Sequence, residues 1–204
     1  PVQEITTIQK RPDYKSSPKL GISYIDINND LDEFKDPKVR EALSLALDRK
    51  YMAETISAGI LAPATGFVPD GVVDWDGSEW ADNITDKSVY FDNDNFDANL
   101  AKAKELLKEA GHENGAGLPT MSYTTNDAGL NKKVAEYLQQ AWKELGINVE
   151  VNIVEWKSFI PQRRSGNYQI ARDGWVMDYN DPSNILELAL TGNGNNNSKY
   201  SNPE

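Results

Sequence analysis

The sequence predicts an α/β fold, a layered mixed sheet with flanking helices, and three stretches carry that prediction. Residues 147 to 154, Ile-Asn-Val-Glu-Val-Asn-Ile-Val, alternate apolar and polar side chains, the period of a half-buried strand. Val39, Ala42, Leu43, Ala46 and Leu47 recur at helical spacing behind Asp36-Pro37, where Asp can cap and proline suits the first helical position. Between residues 97 and 175 helices and strands take turns, an order that implies parallel pairing and ligand sites beyond the carboxyl ends of strands.

In chain order, residues 1 to 18 carry Lys, Pro and Ser punctuation with little periodicity, and they form a lead-in segment. Residues 19 to 204 are expected to make a single α/β unit. Leu20, Ile22, Tyr24 and Ile25 to Ile27 mark the first strand, and the helix from Pro37 follows. Asp48 can cap a second, short helix through Met52 and Ile56 that Gly59 ends. From Leu61 to Phe91 the chain is rich in Pro, Gly, Asp and Trp without sustained periodicity, which predicts a long ordered loop with short helical turns. A helix over 97 to 110, a strand over 120 to 125, a helix over 130 to 145 and the alternating strand after Gly146 come next. A helix over 156 to 164, a strand over 168 to 175 and a helix over 182 to 190 complete the series. The tail from Thr191 to Ser198 is polar and flexible in character.

Composition narrows the chemistry. The 204 residues can bury about 70 per cent of their unfolded surface without disulfide help. There is no Cys, so thiolate zinc sites and cysteine nucleophiles are excluded, and the single His112 argues against a multi-histidine metal site or a Ser-His-Asp triad. His112 follows a helix-ending Gly111 and is expected at the surface. No catalytic residue, metal ligand or cofactor is expected. With 21 Lys and Arg against 32 Asp and Glu, the net charge of −11 would repel nucleic acid and anionic membranes, so no nucleic-acid partner is expected. No apolar run approaches the roughly 20 residues that span a bilayer, and Pro1 begins no signal peptide, though an exported parent can have lost its leader.

The stretch from Ile170 to Asn184 joins a strand end to a basic residue, an aromatic and a carboxylate. The backbone of Gly174, Trp175 and Val176 can pair with a ligand's own backbone, Trp175 supplies an apolar wall, and Asp178 can receive an ammonium group. Arg172, with its planar fork, suits a ligand carboxylate or main chain. Each residue has a plainer use as well. Asp178 can cap a turn before Pro182, Arg172 can pair with Asp173 or simply face water, and Trp175 can be core.

Arg172, Trp175, Asp178, Tyr179 and Pro182 form an Arg-x-x-Trp-x-x-Asp-Tyr-x-x-Pro pattern that resembles the second lobe of the oligopeptide-binding proteins feeding ABC importers, the extracellular solute-binding proteins of family 5. Phe34 through Arg49 resembles the family's D-x-x-VRxAxxxAxDR helix, and Gly59 through Pro69 extends the likeness over most of the chain. The resemblance implies one lobe of a type II periplasmic-binding-protein-like fold. It also implies that the chain is part of a larger two-lobed protein that holds an oligopeptide between the lobes and delivers it to membrane permease subunits. The parent would sit outside the cell membrane, lipid-anchored in Gram-positive bacteria or free in a periplasm. Asp178 would receive the peptide amino terminus, Arg172 its carboxylate or backbone, and Gly174 to Val176 its main chain, with the missing first lobe supplying the remaining contacts.

Other readings stay open beside this one. Relatives that bind dipeptides, nickel chelates or oligosaccharides would keep the fold and change the ligand. A hydrolase would use two carboxylates from residues 70 to 82 or from Asp173, Asp178 and Asp181. A surface interaction module would need none of these. Trp75 and Trp80 invite sugar stacking but more commonly anchor a loop. Asp92, Asp94 and Asp97 look superficially like a calcium loop, yet the sixth and twelfth places hold Asp97 and Ala103, so capping by Asp94 or Asp97 is the expected role.

Overall fold

The computed structural model describes residues 4–84 and 91–202. In chain order the helices are α1 (Ile5–Ile8), α2 (Pro37–Leu45), α3 (Arg49–Tyr51), α4 (Trp80–Asn83), α5 (Phe96–Glu109), α6 (Gly129–Lys143), α7 (Trp156–Arg164) and α8 (Ser183–Leu186). The strands are β1 (Gly21–Ile27), β2 (Met121–Asn126), β3 (Val149–Val154) and β4 (Ile170–Val176). They form one mixed sheet in the order β1-β4-β2-β3. β2 pairs parallel with β3 and with β4, while β1 pairs antiparallel with β4 along its whole length.

Local chemistry explains where the elements begin and end. Asp36 accepts from Lys38 N–H at 2.8 Å and Pro37 opens α2, as its position predicts. Asp48 accepts from Tyr51 N–H at 2.8 Å to start α3, and the chain then widens into a π-helical turn, Met52–Ile56. Gly146, at φ 77°, turns the chain after α6 into β3, and a Cβ there would lie 2.0 Å from Asn114 O, so no other residue fits.

The main core lies on one face of the sheet. Met121, Tyr123 and Ile170 meet Val39, Ala42 and Leu43 of α2, Ala103, Leu106 and Leu107 of α5, and Ala135, Leu138 and Trp142 of α6. Trp142 is wholly buried, and its indole N–H donates to Leu43 O at 2.9 Å, tying α6 to the end of α2. The opposite face is covered in two patches. Phe159 of α7 packs with Tyr168 and Ala171, and Val68, Val72, Ile185 and Leu188 pack with Ile22, Tyr24 and Trp175.

Several expectations need adjustment. Residues 1 to 18 include the short α1, which buries no residue. The loop after Leu61 is organised by a Val73 to Glu79 bridge and α4, and residues 85–90 of that stretch lie outside the described residues. The helix expected over 182 to 190 is the four-residue α8 continued by a 3-10 turn, Glu187–Ala189. The Asn-rich tail, expected to be loose, is packed: Asn196 and Asn197 are buried, and Asn196 donates to Leu190 O and Tyr200 O at 3.1 and 2.7 Å. Short amide side chains replace water at the backbone there, so a polar run can hold a fixed path. Asn95, not Asp94 or Asp97, caps α5 by accepting from Ala98 N–H at 3.3 Å.

Candidate functional site

β4 sits between β1 and β2, and its carboxyl end is where the sequence placed the ligand. Met177 N–H donates to Leu20 O and Asn28 N–H to Gln169 O, each at 3.0 Å, which phases the β1–β4 ladder. In antiparallel pairing alternate residues exchange both main-chain bonds, so Ala171, Asp173 and Trp175 address β1. Ile170, Arg172, Gly174 and Val176 address the opposite side. There β2 meets only Ile170 and Ala171. Past that point the described residues supply no strand alongside Gly174 and Val176. One donor of this open edge is already taken, because Gly174 N–H donates to Asp173 Oδ1 at 2.7 Å. What remains is Gly174 C=O, Val176 N–H and Val176 C=O.

The side chains around the edge fall on two faces. Arg172 shares the core face with Gly174, and its Nη2 lies 3.5 Å from where a Cβ on Gly174 would be, so the guanidinium lies across a glycine that leaves it room. Tyr123 lies deeper on that face. Burial pushes its phenol up to about 12, with the Arg172 charge acting the other way. The Tyr123 and Thr125 hydroxyls are buried and find no hydrogen-bond partner among the described residues. Val176, 65% exposed, stands at the rim.

On the other face Trp175 is half-buried against Val72, Ile185 and Leu188, so part of the ring serves as core. Its indole N–H donates to Asn184 Oδ1 at 3.0 Å, and the same oxygen accepts from Asp178 N–H at 3.1 Å. One buried amide therefore sets both the indole plane and the turn that carries Asp178. The Asp178 side chain is exposed and makes no hydrogen bond or ion pair among the described residues. Capping before α8 falls to Asp181 instead, which accepts from Ser183 N–H at 2.8 Å and is held below the usual carboxylate range by its bonds to Ser183. Asn180 links this corner to the preceding loop, accepting from Val73 N–H at 2.9 Å and donating to Gly71 O at 3.2 Å. The loop carries Trp75 fully into solvent, 90% exposed, while Trp80 packs beneath it as an anchor.

Sequence reasoning missed a buried polar cluster behind the edge. Arg172 does not pair with Asp173, since neighbours on a strand point to opposite faces. Asp173, 2% exposed, instead holds Arg163 of α7 through Oδ1 and accepts from Asn197 Nδ2 at 3.0 Å through Oδ2. Asp26 of β1, 4% exposed, faces it. Burial, reinforced by the Asp173 carboxylate beside it, holds the Asp26 carboxyl well above the usual range. Asp26 Oδ2 is buried and meets no hydrogen-bond partner among the described residues. Desolvation likewise raises Tyr24 and Tyr168. The signal was present in β1, where Ile22, Tyr24 and Asp26 alternate onto one face and place a carboxyl on a buried side. His112 is half-buried with Nδ1 2.9 Å from Ala116 O, more enclosed than its punctuation suggested. Among the described residues no group of three or more His, Asp or Glu side chains is placed to hold a metal ion.

A family model described as "Bacterial extracellular solute-binding proteins, family 5 Middle" matches residues 1–197. The chain belongs to this family. Family 5 relatives include the oligopeptide-binding protein OppA of Bacillus subtilis, 32% identical over all of this chain and 36% of its own length. The periplasmic OppA of Salmonella typhimurium is 33% identical over 91% of this chain and 33% of its own. The chain thus spans about a third of the length of these relatives. Among solved structures, a periplasmic oligopeptide-binding protein of Borrelia burgdorferi superposes with a TM-score of 0.81 at 31% identity, covering 99% of this chain and 38% of that one. OppA of Haemophilus influenzae in complex with the peptide RPPGFSPFR gives 0.81 at 26% identity over 100% and 39%. The family 5 likeness agrees with the mixed α/β sheet and flanking helices, and the relatives named here are binding proteins, not enzymes.

Proposed function

We propose that this chain is the part of a peptide-binding protein that grips the ligand main chain, as the substrate-binding component of an ABC importer. The observation that carries the reading is the open edge of β4: three main-chain groups at Gly174 and Val176, bounded by the Arg172 guanidinium on one side and on the other by the Asp178 carboxylate, unpartnered among the described residues. An extended peptide with its ammonium at Asp178 would run back along β4 toward Arg172. Main-chain bonds ignore side-chain identity, so such a grip accepts many sequences. Relatives described as oligopeptide-binding, one of them in complex with a nine-residue peptide, support the ligand class. In this reading residues 19 to 204 act as one lobe, a second lobe of the parent closes over the ligand by hinge motion, and the loaded protein is handed to permease subunits. It works outside the cytoplasm, in a periplasm or lipid-anchored at a Gram-positive surface.

The test is native mass spectrometry of the gently purified, full-length parent as wild type and as Asp178→Ala. Copurified peptide masses in the first, depleted in the second, are expected. A ligand-free spectrum for both would transfer the site to another ligand class. The 204-residue chain alone holds only part of the cleft and is expected to bind tri-alanine weakly; submicromolar binding in calorimetry would contradict the two-lobed reading.

A further inference from the structure

We infer that Asp173 is a positioning residue for the binding edge: by occupying the Gly174 N–H it leaves an acceptor–donor–acceptor pattern, and so dictates which main-chain groups of a bound peptide can pair. This rests on the reading of Gly174 to Val176 as the ligand-pairing edge. An unmodified antiparallel edge would exchange two bonds with the ligand residue opposite Val176 and two more with the residue opposite Gly174. Here the second pair is reduced to one. The ligand N–H opposite Gly174 can donate to Gly174 C=O, but the carbonyl of that ligand residue meets no N–H from this strand.

The block is firm because of what holds Asp173. Oδ1 is fixed by Arg163 as well as by Gly174 N–H, Oδ2 accepts from Asn197 Nδ2 at 3.0 Å, and the Asp26 carboxyl lies against the pair. Rotating the carboxylate off Gly174 would also break its bond to Arg163, whose Nε is already without a partner among the described residues. A buried, charged acceptor binds an N–H more strongly than a neutral peptide carbonyl does. A ligand therefore pairs in the register that spares it this missing donor, and the contacts reach back through Asn197 to the packed tail and through Arg163 to α7.

The experiment is residue-resolved amide hydrogen exchange on the full-length parent, free and saturated with tri-alanine, for wild type, Asp173→Asn and Asp173→Ala. Without ligand, the wild-type Gly174 amide is expected to exchange about 10- to 100-fold more slowly than that of Val176. Tri-alanine should then slow Val176 and leave Gly174 unchanged. Asp173→Asn keeps an oxygen for Gly174 and should preserve that protection, whereas Asp173→Ala should lose it and regain it on binding. If removing Asp173 leaves Arg163 unpaired and the protein unfolded, Arg163→Met with Asp173→Ala serves instead. Equal exchange at Gly174 and Val176 in the free wild type, or slowing of Gly174 by tri-alanine in the wild type, overturns the assignment. Slowing at neither amide despite calorimetric binding overturns the edge itself, and with it the functional reading, while a protected Gly174 in the free protein would still show the Asp173 bond.

Discussion

On the face toward α5 and α6, β4 sets Ile170 among Met121, Tyr123, Leu138 and Leu107; on the face toward α7 it sets Asp173 among Arg163, Asn197 and Asp26. Both sides are buried, yet they are made of different material. The first removes apolar surface from water at about 25 cal/mol per Å² and tolerates exchange of one hydrocarbon for another. The second gains little net stability, because each charge it buries costs desolvation that its partners only offset. What the polar face supplies is position, since each bond has one donor, one acceptor and one direction. The strand end that projects from between these faces inherits rigidity from one and orientation from the other.

The sharpest way to break the apolar side is Trp142→Ala, which removes the largest wholly buried side chain and its bond to Leu43 O. A loss of about 3–5 kcal/mol is expected in denaturant unfolding. On the polar side Asp173→Ala should cost about 3 kcal/mol by leaving Arg163 unpaired. Arg163→Met with Asp173→Leu should recover most of that loss in the same measurement, and a failure to recover would show that the pair stabilises the fold more than an apolar replacement does.

Asp26 gives the comparison a pH axis. Burial raises the folded carboxyl well above the ordinary value of 3.8 that the unfolded one keeps. The group's contribution is therefore complete below about pH 4 and is lost as pH rises toward and through the raised folded value. Relative to wild type, Asp26→Asn should gain up to about 1.4 kcal/mol per pH unit above pH 4, read from thermal or urea unfolding at a series of pH values. A flat difference would mean that Asp26 is ionised in the fold.

Smaller effects are expected nearer the edge. Asn184→Ala strands the Trp175 indole N–H and frees the Asp178 turn, costing about 1–2 kcal/mol and weakening peptide binding by the parent in calorimetry. Asp178→Ala, at an exposed carboxylate, should change stability by no more than about 0.5 kcal/mol while lowering affinity for tri-alanine about 10- to 100-fold. Stability and binding would then separate along one strand, within a few residues of each other.

What could be seen in the sequence was local. The start of α2 at Asp36-Pro37, the alternation of β3 and the helical spacing of α5 and α6 each depend on neighbours a few residues away, and periodicity reports them directly. Arg172, Gly174, Trp175, Val176 and Asp178 could be named as candidates because they share one strand end and one motif. The pairing of β1 with β4 could not, because nothing in Gly21–Ile27 states its partner or direction. The polar cluster was visible only at Asp26, on the apolar side of the β1 alternation: Arg163, Asp173 and Asn197 come from three other segments and meet it only once the strand order is fixed. Asn184 was hidden differently, inside a helix too short to show a period.

The partnership of β1 with β4 also imposes an order on events. Asn28 beside β1 donates to Tyr168 O across 140 residues of chain, so the earliest-made of these four strands is among the last to find its place. At about 5–20 residues per second of synthesis, that interval is on the order of ten seconds. Throughout it the segment Gly-Ile-Ser-Tyr-Ile-Asp-Ile has no neighbour to complete it. Distant pairings of this kind are slow to close, and they leave sticky strands available to the wrong partner. Asp26 interrupts this strand with a charge for as long as it is wet, and burial favours the uncharged form once the sheet closes around it.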